Sequence, residues 1–251
     1  MRRNGKYPSI AIALLLAAAL AAGGCGEQPS LAYDPSPENV VVQIDSSGGL
    51  APVYLDSVPS FRAFGDGRVV KAADDQRNNS MLLEGRLGDG GVEGLLASME
   101  EAGFFGLKDS YRDNRVMDGV TVTVSASLKD GKKSVAVYMA EVPGFAATLK
   151  AIDGFPVTGE HPYVPEKGYL YVTRQSEPPK TPQVPPDDIA ALIPGVQTLE
   201  PADTANEPVV VPGGEFVKIK EWEATQEYTG LDVLSGGTWF KVYPVYQKRE
   251  Y

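Results

Sequence analysis

The chain has 251 residues, of which 43% are hydrophobic and 22% charged, a composition typical of a globular protein. Its 33 acidic residues outnumber its 23 basic ones, and the resulting net charge of −10 argues against a nucleic-acid-binding protein. A single cysteine and a single histidine exclude a disulfide framework and a zinc site built only from Cys and His ligands.

The first 25 residues have the three-part layout of a bacterial export signal. Arg2, Arg3 and Lys6 precede an uninterrupted apolar run at residues 10–22, which is short for a membrane-spanning helix. The letters AGGC at residues 22–25 resemble the lipobox of bacterial lipoproteins. That resemblance implies that residues 1–24 are a signal peptide and that lipid is attached to Cys25. A plain secretory signal and an uncleaved anchor helix are the alternatives.

The predicted mature chain is more acidic than the whole chain. Residues 1–24 contain three basic and no acidic residues, so their removal changes the net charge from −10 to −13. Because Gly, Pro, Ser and Glu are frequent after Cys25, we expect residues 25–39 to form a flexible tether. Anionic headgroups repel so acidic a body, and we therefore expect the lipid alone to hold it at the membrane.

Residues 40–176 have the pattern of an α+β domain. A β-branched run at residues 40–44 predicts a strand, and residues 60–72 predict a hairpin whose Asp66-Gly67 turn is of type I′. A second hairpin alternates apolar and polar residues over 120–125 and returns at 135–138. We expect an antiparallel sheet of five to seven strands, built from such hairpins, with two short helices on one face.

The two helices are predicted from apolar residues at helical spacing. We expect Asp89 to cap the first helix and Gly103 to end it, and Pro143 to lie near the first turn of the second. The apolar stripes consist of Val92, Leu95, Leu96 and Met99 in the first helix and of Phe145, Leu149 and Ile152 in the second.

The C-terminal third has a different texture. Nine of the chain's twenty prolines fall within residues 178–212, a density that disfavours helix and central strand, so residues 177–212 are predicted to form a semi-rigid Pro-rich linker. Apolar runs at residues 215–222 and 238–246 predict two strands. Because an isolated hairpin is marginally stable in water, we expect this C-terminal hairpin, within residues 213–251, to dock on the main domain.

Residues 40–155 contain four short stretches of turn and core positions, namely FGDGRVV at 64–70, AGFFGL at 102–107 with Asp109 and Tyr111, DG at 118–119 followed by TVTV at 121–124, and VAVY at 135–138. These stretches resemble an uncharacterised family of bacterial lipoproteins. The resemblance implies a small α+β domain in the cell envelope and implies no activity.

The sequence contains no familiar catalytic motif. His161 stands alone in a predicted Pro-flanked loop, whereas the HExxH motif needs two histidines, and no GxSxG elbow is present. Residues 88–93 depart from a dinucleotide-binding loop because Glu93 occupies the third glycine position, and no phosphate-binding P-loop occurs. We therefore expect no catalytic residue and no cofactor.

Two acidic groups contain oxygen ligands suited to calcium. Neither follows the spacing of a calcium-binding loop, and solvated surface loops explain them equally well, so we expect no metal. The first group is Asp74 and Asp75, and the second is Asp109, Asp113, Asn114 and Asp118.

Aromatic residues near the C-terminus are the candidate binding face. Trp239, Tyr243 and Tyr246 fall in one predicted strand, and Tyr and Trp are enriched at interfaces. The alternative is that they pack the C-terminal hairpin against the sheet.

These observations favour a lipid-anchored lipoprotein of the bacterial cell envelope that acts as a non-catalytic binding module. We expect it to lie outside the cytoplasm, held to the membrane by lipid on Cys25, with another envelope protein or a glycan as partner and no nucleic acid. Two alternatives are a small-ligand receptor and a hydrolase that uses a carboxylate pair.

Overall fold

The structure, a computed structural model, describes residues 30–48, 59–73, 81–195, 208–226 and 229–246. Its elements all belong to one unit, Leu31–Tyr251. The fold is α+β, as predicted, with twelve strands and four α-helices in the described ranges. The predicted signal peptide, Cys25 and the tether up to residue 29 lie outside them. Leu31 and Tyr33, inside the predicted flexible tether of residues 25–39, pack against buried residues of the fold, which therefore begins earlier than predicted.

Eight strands form the first sheet, in the spatial order β5-β7-β6-β1-β2-β3-β4-β8. Their bounds are β1 Val40–Gly48, β2 Phe61–Phe64, β3 Arg68–Ala72, β4 Leu82–Leu87, β5 Ser110–Arg112, β6 Val120–Leu128, β7 Gly131–Tyr138 and β8 Val157–Pro162. The prediction of five to seven antiparallel strands is wrong in two respects, since the sheet is larger and β5 runs parallel to β7. His161 lies in the edge strand β8 and not in the predicted loop. The neighbouring Pro162 is compatible with a strand here because an edge strand can lack one N–H donor without losing a sheet hydrogen bond.

The β2–β3 hairpin forms as predicted, but its turn differs. Only Gly67 has a positive φ, of 83°, and its N–H donates to the carbonyl of Phe64 at 2.9 Å. A type I′ turn requires two left-handed residues, and an L-aspartate at position 66 enters that region only at a cost, so a wider turn with one left-handed glycine results.

Two helices cover one face of this sheet and enclose the first core. Helix α1, Gly91–Glu101, buries its four predicted apolar residues, and α2, Pro143–Asp153, buries Phe145 and Ile152. Gly103 follows α1 with a φ of 82°, as expected. The N-cap is Gly90 instead of Asp89, and no side chain caps the helix.

The second sheet has four antiparallel strands, in the order β10-β9-β12-β11. They are β9 Lys167–Arg174, β10 Val209–Pro212, β11 Leu231–Ser235 and β12 Thr238–Val245. Gly236 and Gly237 both have positive φ between β11 and β12, which is the requirement of the tight turn that joins them.

The predicted strand at residues 215–222 is wrong, because this segment forms helix α4, Gly213–Ala224. Its buried positions recur at intervals of three and four residues, as on one face of a helix, and they are Gly213, Phe216, Val217, Ile219, Lys220 and Glu223. The spacing of hydrophobic residues does not reveal this buried face, because two of its members are charged. Lys220 and Glu223 are buried there as an ion pair, with Nζ 2.7 Å from Oε2. The partner of β12 in the C-terminal hairpin is therefore β11.

A second core joins the two sheets. Val69 belongs to the first core whereas its neighbour Val70 belongs to the second, since alternate residues of a strand point to opposite faces. The backbone N–H of Leu82 donates to Tyr246 Oη at 3.0 Å, and the Tyr246 ring packs edge-on against Phe216 with centroids 4.9 Å apart. These contacts hold the second sheet against the start of β4 in the first sheet.

The described part of the Pro-rich segment is packed against the second sheet. Gln183 exchanges two hydrogen bonds with Asp232, donating its backbone N–H to Oδ2 at 2.8 Å and accepting the Asp232 N–H at 2.9 Å. Asp232 Oδ1 also accepts a hydrogen bond from Gln175 at 2.7 Å. Short helix α3, Asp187–Ala190, follows, and residues 196–207 lie outside the description.

Candidate binding site

An open apolar groove lies where β6 begins, β7 ends and α2 starts. Its volume is about 460 Å³. Strands β6 and β7 supply the floor, and helix α2, which follows β7 in the chain, supplies one wall. Its principal lining residues are Val120, Val122, Val137, Met139, Phe145 and Leu149.

The surface around the groove is unusually apolar for an exposed region. Val120 is 40% exposed and Met139 is 49% exposed at the groove, and Met117 is 84% exposed in the loop before β6. Glu141 is the groove's one charged lining residue. Contiguous apolar surface of this kind marks interaction sites in soluble domains.

The backbone at the groove is in an unfavourable conformation. Asp118 and Met139 have φ values of 57° and 52°, and no other non-glycine residue in the described ranges has a positive φ. The two positions meet through Gly119, where a Cβ atom would overlap the side chain of Met139. Left-handed φ costs an L-residue roughly 1–2 kcal/mol, and such conformations concentrate at functional sites.

Hydrogen bonds hold the loop before β6 in place. Tyr138 Oη accepts the N–H of Gly119 and donates to the carbonyl of Val116, both at 3.0 Å. Arg115 Nη2 lies 2.6 Å from Asp113 Oδ2, and hydrogen bonds from Arg115 lower the pKa of the Asp113 carboxyl. The groove is therefore bounded by a loop with a defined conformation.

Two exposed carboxylates lie at the groove, Glu141 in its lining and Asp118 two residues before Val120, and the Arg112 guanidinium stacks nearby on the Tyr138 ring, 4.4 Å from its centroid. Asp118 and Glu141 are both exposed, and within the described ranges neither has an ion pair or a side-chain hydrogen bond. The nearest basic side chain along the loop, Arg115, is engaged by Asp113. The groove thus combines an apolar floor with an acidic rim.

The three aromatic residues predicted as a binding face are divided between the two faces of β12. Tyr246 is only 6% exposed in the second core, where burial raises its pKa to about 12. Tyr243 is partly buried opposite Tyr171 of β9. Trp239 borders a shallow groove of about 490 Å³ beside Arg174. The three residues do not form one surface.

His161 borders a polar cleft of about 300 Å³. Its Nδ1 lies 2.9 Å from the carbonyl oxygen of Glu84, an arrangement in which a protonated Nδ1 donates. Arg68 and Arg86 face each other across β3 and β4 in the same cleft, and each is near a carboxylate. This arrangement is an ionic network beside the edge strand β8, and the Thr158 hydroxyl, which lines the same cleft, donates to the carbonyl of Arg86 at 3.4 Å.

The carboxylates considered as calcium ligands are separated by their partners. Asp109 pairs with Lys133 at 2.7 Å, and Asp113 pairs with Arg115. Among the described residues no group of three His, Cys, Asp or Glu side chains could hold a metal ion. Asp74 and Asp75 lie outside those residues.

Searches of protein-family models, curated proteins and solved structures found no match to this chain. No helix in the described ranges is both long enough and apolar enough to span a bilayer.

Sequence reasoning missed the groove. Val120, Val122, Phe145 and Leu149 were identified as strand or helix residues facing a core, and periodicity alone does not show where a core surface is left open. One local pattern pointed to exposed apolar surface here: Met117 and Val120 flank the Asp118-Gly119 pair, a dipeptide typical of turns.

Proposed function

We propose that this protein is a lipid-anchored, non-catalytic interaction module of the bacterial cell envelope, and that the groove is its docking site. The observation that carries the proposal is the coincidence, at one place, of a concave apolar surface and the two left-handed non-glycine residues. The export-signal layout of residues 1–24, followed by Cys25, supports the location.

The position of the groove relative to the start of the fold suits this role. The carbonyl of Ala32 accepts the N–H of Lys129 at 2.7 Å, beside the β6–β7 turn, and Tyr33 donates to Glu93 at 2.7 Å. The groove lies at the other end of the nine-residue strand β6, about 26 Å away. A lipid on Cys25, six residues before Leu31, would therefore attach near the end of β6 that is opposite the groove.

The finer organisation of the chain belongs to the same proposal. Residues 40–176 would form the binding domain, and the Pro-rich segment and the C-terminal hairpin would brace it. The supporting contacts are the paired hydrogen bonds between Gln183 and Asp232 and the hydrogen bond from Leu82 to Tyr246.

Cell fractionation and cross-linking test the two parts of the proposal separately. Cys25→Ser should release the protein from membranes, and a variant that still sediments with membranes would refute lipid anchoring. A photo-cross-linker at exposed Ala146, which lines the groove, should capture a discrete partner, whereas the same probe at exposed Ala147, which does not line it, should not. Equal capture from both positions would refute docking at the groove.

A small-ligand receptor is the second candidate. The groove volume of about 460 Å³ falls within the usual range for ligand pockets. This alternative predicts that purified protein binds a small apolar probe at the groove and yields no protein cross-link from residue 146.

A further inference from the structure

We infer that the partner of the groove is an amphipathic helix with an apolar face and a basic polar face. This inference rests on the proposed function and adds the chemistry of the partner. Three features of the described residues lead to it: the backbone beneath the groove is already hydrogen-bonded, Met139 has an adaptable side chain, and the rim contains carboxylates.

The backbone beneath the groove is already hydrogen-bonded. Strand β6 pairs with β1 on one side and β7 on the other, and β7 pairs with β6 and β5. Asp113, which follows β5, donates its N–H to the carbonyl of Tyr138 at 3.0 Å. An extended peptide lying in the groove would find the backbone of β6 and β7 already paired, so its own peptide groups would lose water without replacement. The outer edge of β5, the edge strand, lies outside the groove lining.

A helix satisfies its own backbone and presents only side chains. Helices that dock in grooves do so through apolar residues at spacings of three and four, which a groove lined by Val122, Phe145 and Leu149 can accept. Met139, about half exposed at the groove, has an unbranched thioether side chain that adapts to different apolar shapes. The groove is therefore suited to a helix face.

The rim selects the charge of that helix. Asp118 and Glu141 are exposed, and neither has an ion pair in the described ranges. Of the two nearby cations, Arg115 pairs with both oxygens of Asp113, and Arg112 stacks on the Tyr138 ring. The chain as a whole has a net charge of −10. Lys or Arg residues on the polar face of the helix would pair with the rim, and the acidic body would increase their rate of encounter.

Two synthetic helical peptides of about 18 residues, roughly five turns, test this inference. Both have the same leucine face, and one has Lys and the other Glu on its polar face. Calorimetry uses full-length protein in nanodiscs of zwitterionic lipid, with empty nanodiscs as the blank. We expect the Lys peptide to bind at least about tenfold more tightly than the Glu peptide. Equal affinities would overturn the inference.

Matched variants separate groove binding from general attraction to an acidic protein. Ala146→Trp should raise the Kd of the Lys peptide about tenfold or more, whereas Ala147→Trp should change this Kd less than about twofold. Equal effects of the two variants would overturn the inference, because binding would then not depend on the groove.

Rim charge is tested with substitutions that preserve shape. Asp118→Asn combined with Glu141→Gln should raise the Kd of the Lys peptide about fivefold, as expected for the loss of two exposed ion pairs. The same charge change at the exposed Glu177 and Asp188, outside the groove, should have less than about a twofold effect. Equal losses from the two pairs would show that only net charge matters and would overturn the inference.

Other occupants give distinct results. Concentration-dependent dimerisation abolished by Ala146→Trp would identify a second copy as the occupant, and displacement of the Lys peptide by a fatty acid would identify an acyl chain. Either result overturns the inference. Absence of Lys-peptide binding together with a specific cross-link from residue 146 would leave the proposed function standing and remove the inference alone.

Discussion

Lys220 Nζ lies 2.7 Å from Glu223 Oε2 inside the second core, with both side chains almost completely buried. The other carboxylate oxygen, Oε1, accepts the N–H of Gly230 at 2.7 Å just before β11. The ion pair therefore links one face of α4 to the start of the C-terminal hairpin.

Removing one member of this pair should be costly. Glu223→Ala leaves the Lys220 ammonium in the core without its carboxylate partner, so we expect the free energy of unfolding to fall by about 3–5 kcal/mol. Urea denaturation followed by far-UV circular dichroism measures this change. Glu221→Ala, at an exposed position of the same helix, should cost less than about 0.5 kcal/mol, and similar losses from both would contradict a buried pair.

Gly168 is required by the packing of α4 on β9. A Cβ atom at this position would overlap the ring of Phe216. We expect Gly168→Ala to lower the free energy of unfolding by about 2–3 kcal/mol, because ring or backbone must move. Gly214→Ala, where a Cβ has open space, is the control in the same denaturation experiment and should be neutral or slightly stabilising. A neutral Gly168→Ala would show that Phe216 does not pack there.

The Tyr246 hydroxyl should contribute to stability in a pH-dependent manner. Tyr246→Phe retains the ring and leaves the Leu82 N–H without its acceptor, which should cost about 1–2 kcal/mol near neutral pH. Burial raises the Tyr246 pKa from 10.0 to about 12, so the phenol's contribution is complete below pH 10 and declines as pH rises towards 12. The stability gap between wild type and variant should narrow over that interval.

Urea midpoints measured at several pH values check this prediction. Tyr169→Phe, on the opposite face of the second sheet, is the control and should change the free energy of unfolding near neutral pH by less than about 0.5 kcal/mol. A Tyr246→Phe gap that widens above pH 10 would contradict the raised pKa.

Met139 should tolerate glycine better than alanine. Both substitutions remove the side chain that lines the groove, but only glycine avoids the cost of roughly 1–2 kcal/mol that a φ of 52° imposes on an L-residue. We expect Met139→Gly to be about 1 kcal/mol more stable than Met139→Ala in thermal unfolding. We also expect Met139→Gly to bind the Lys peptide less tightly. Equal stability of the two variants would argue against backbone strain at residue 139.

Local patterns in the sequence predicted the elements that bury purely apolar stripes. Helix α1 and the β6–β7 hairpin formed where expected, because Val92 with Met99, and Val124 with Val135, have the period of one secondary structure. Helix α4 was mistaken for a strand because its buried face contains Lys220 and Glu223, and a charged residue is not recognised as buried until its partner is placed beside it.

The candidate site was even less accessible to sequence reasoning. Trp239, Tyr243 and Tyr246 were grouped because they are aromatic and close in the chain, but strand alternation places Tyr246 in the second core, away from Tyr243. The groove residues were identified as ordinary members of strands and a helix. No local pattern indicates that the sheet leaves them partly uncovered.

The sequence by itself determined the composition class, the acidic charge, the α+β mixture and the apolar faces of α1 and α2, because these depend on residue type and short-range period. Tertiary structure alone decided the order of the eight-stranded sheet, the contact from Leu82 to Tyr246 and the close approach of Gly119 to Met139 at the groove. Those features join residues far apart in the chain, and only simultaneous packing of all the elements brings them together.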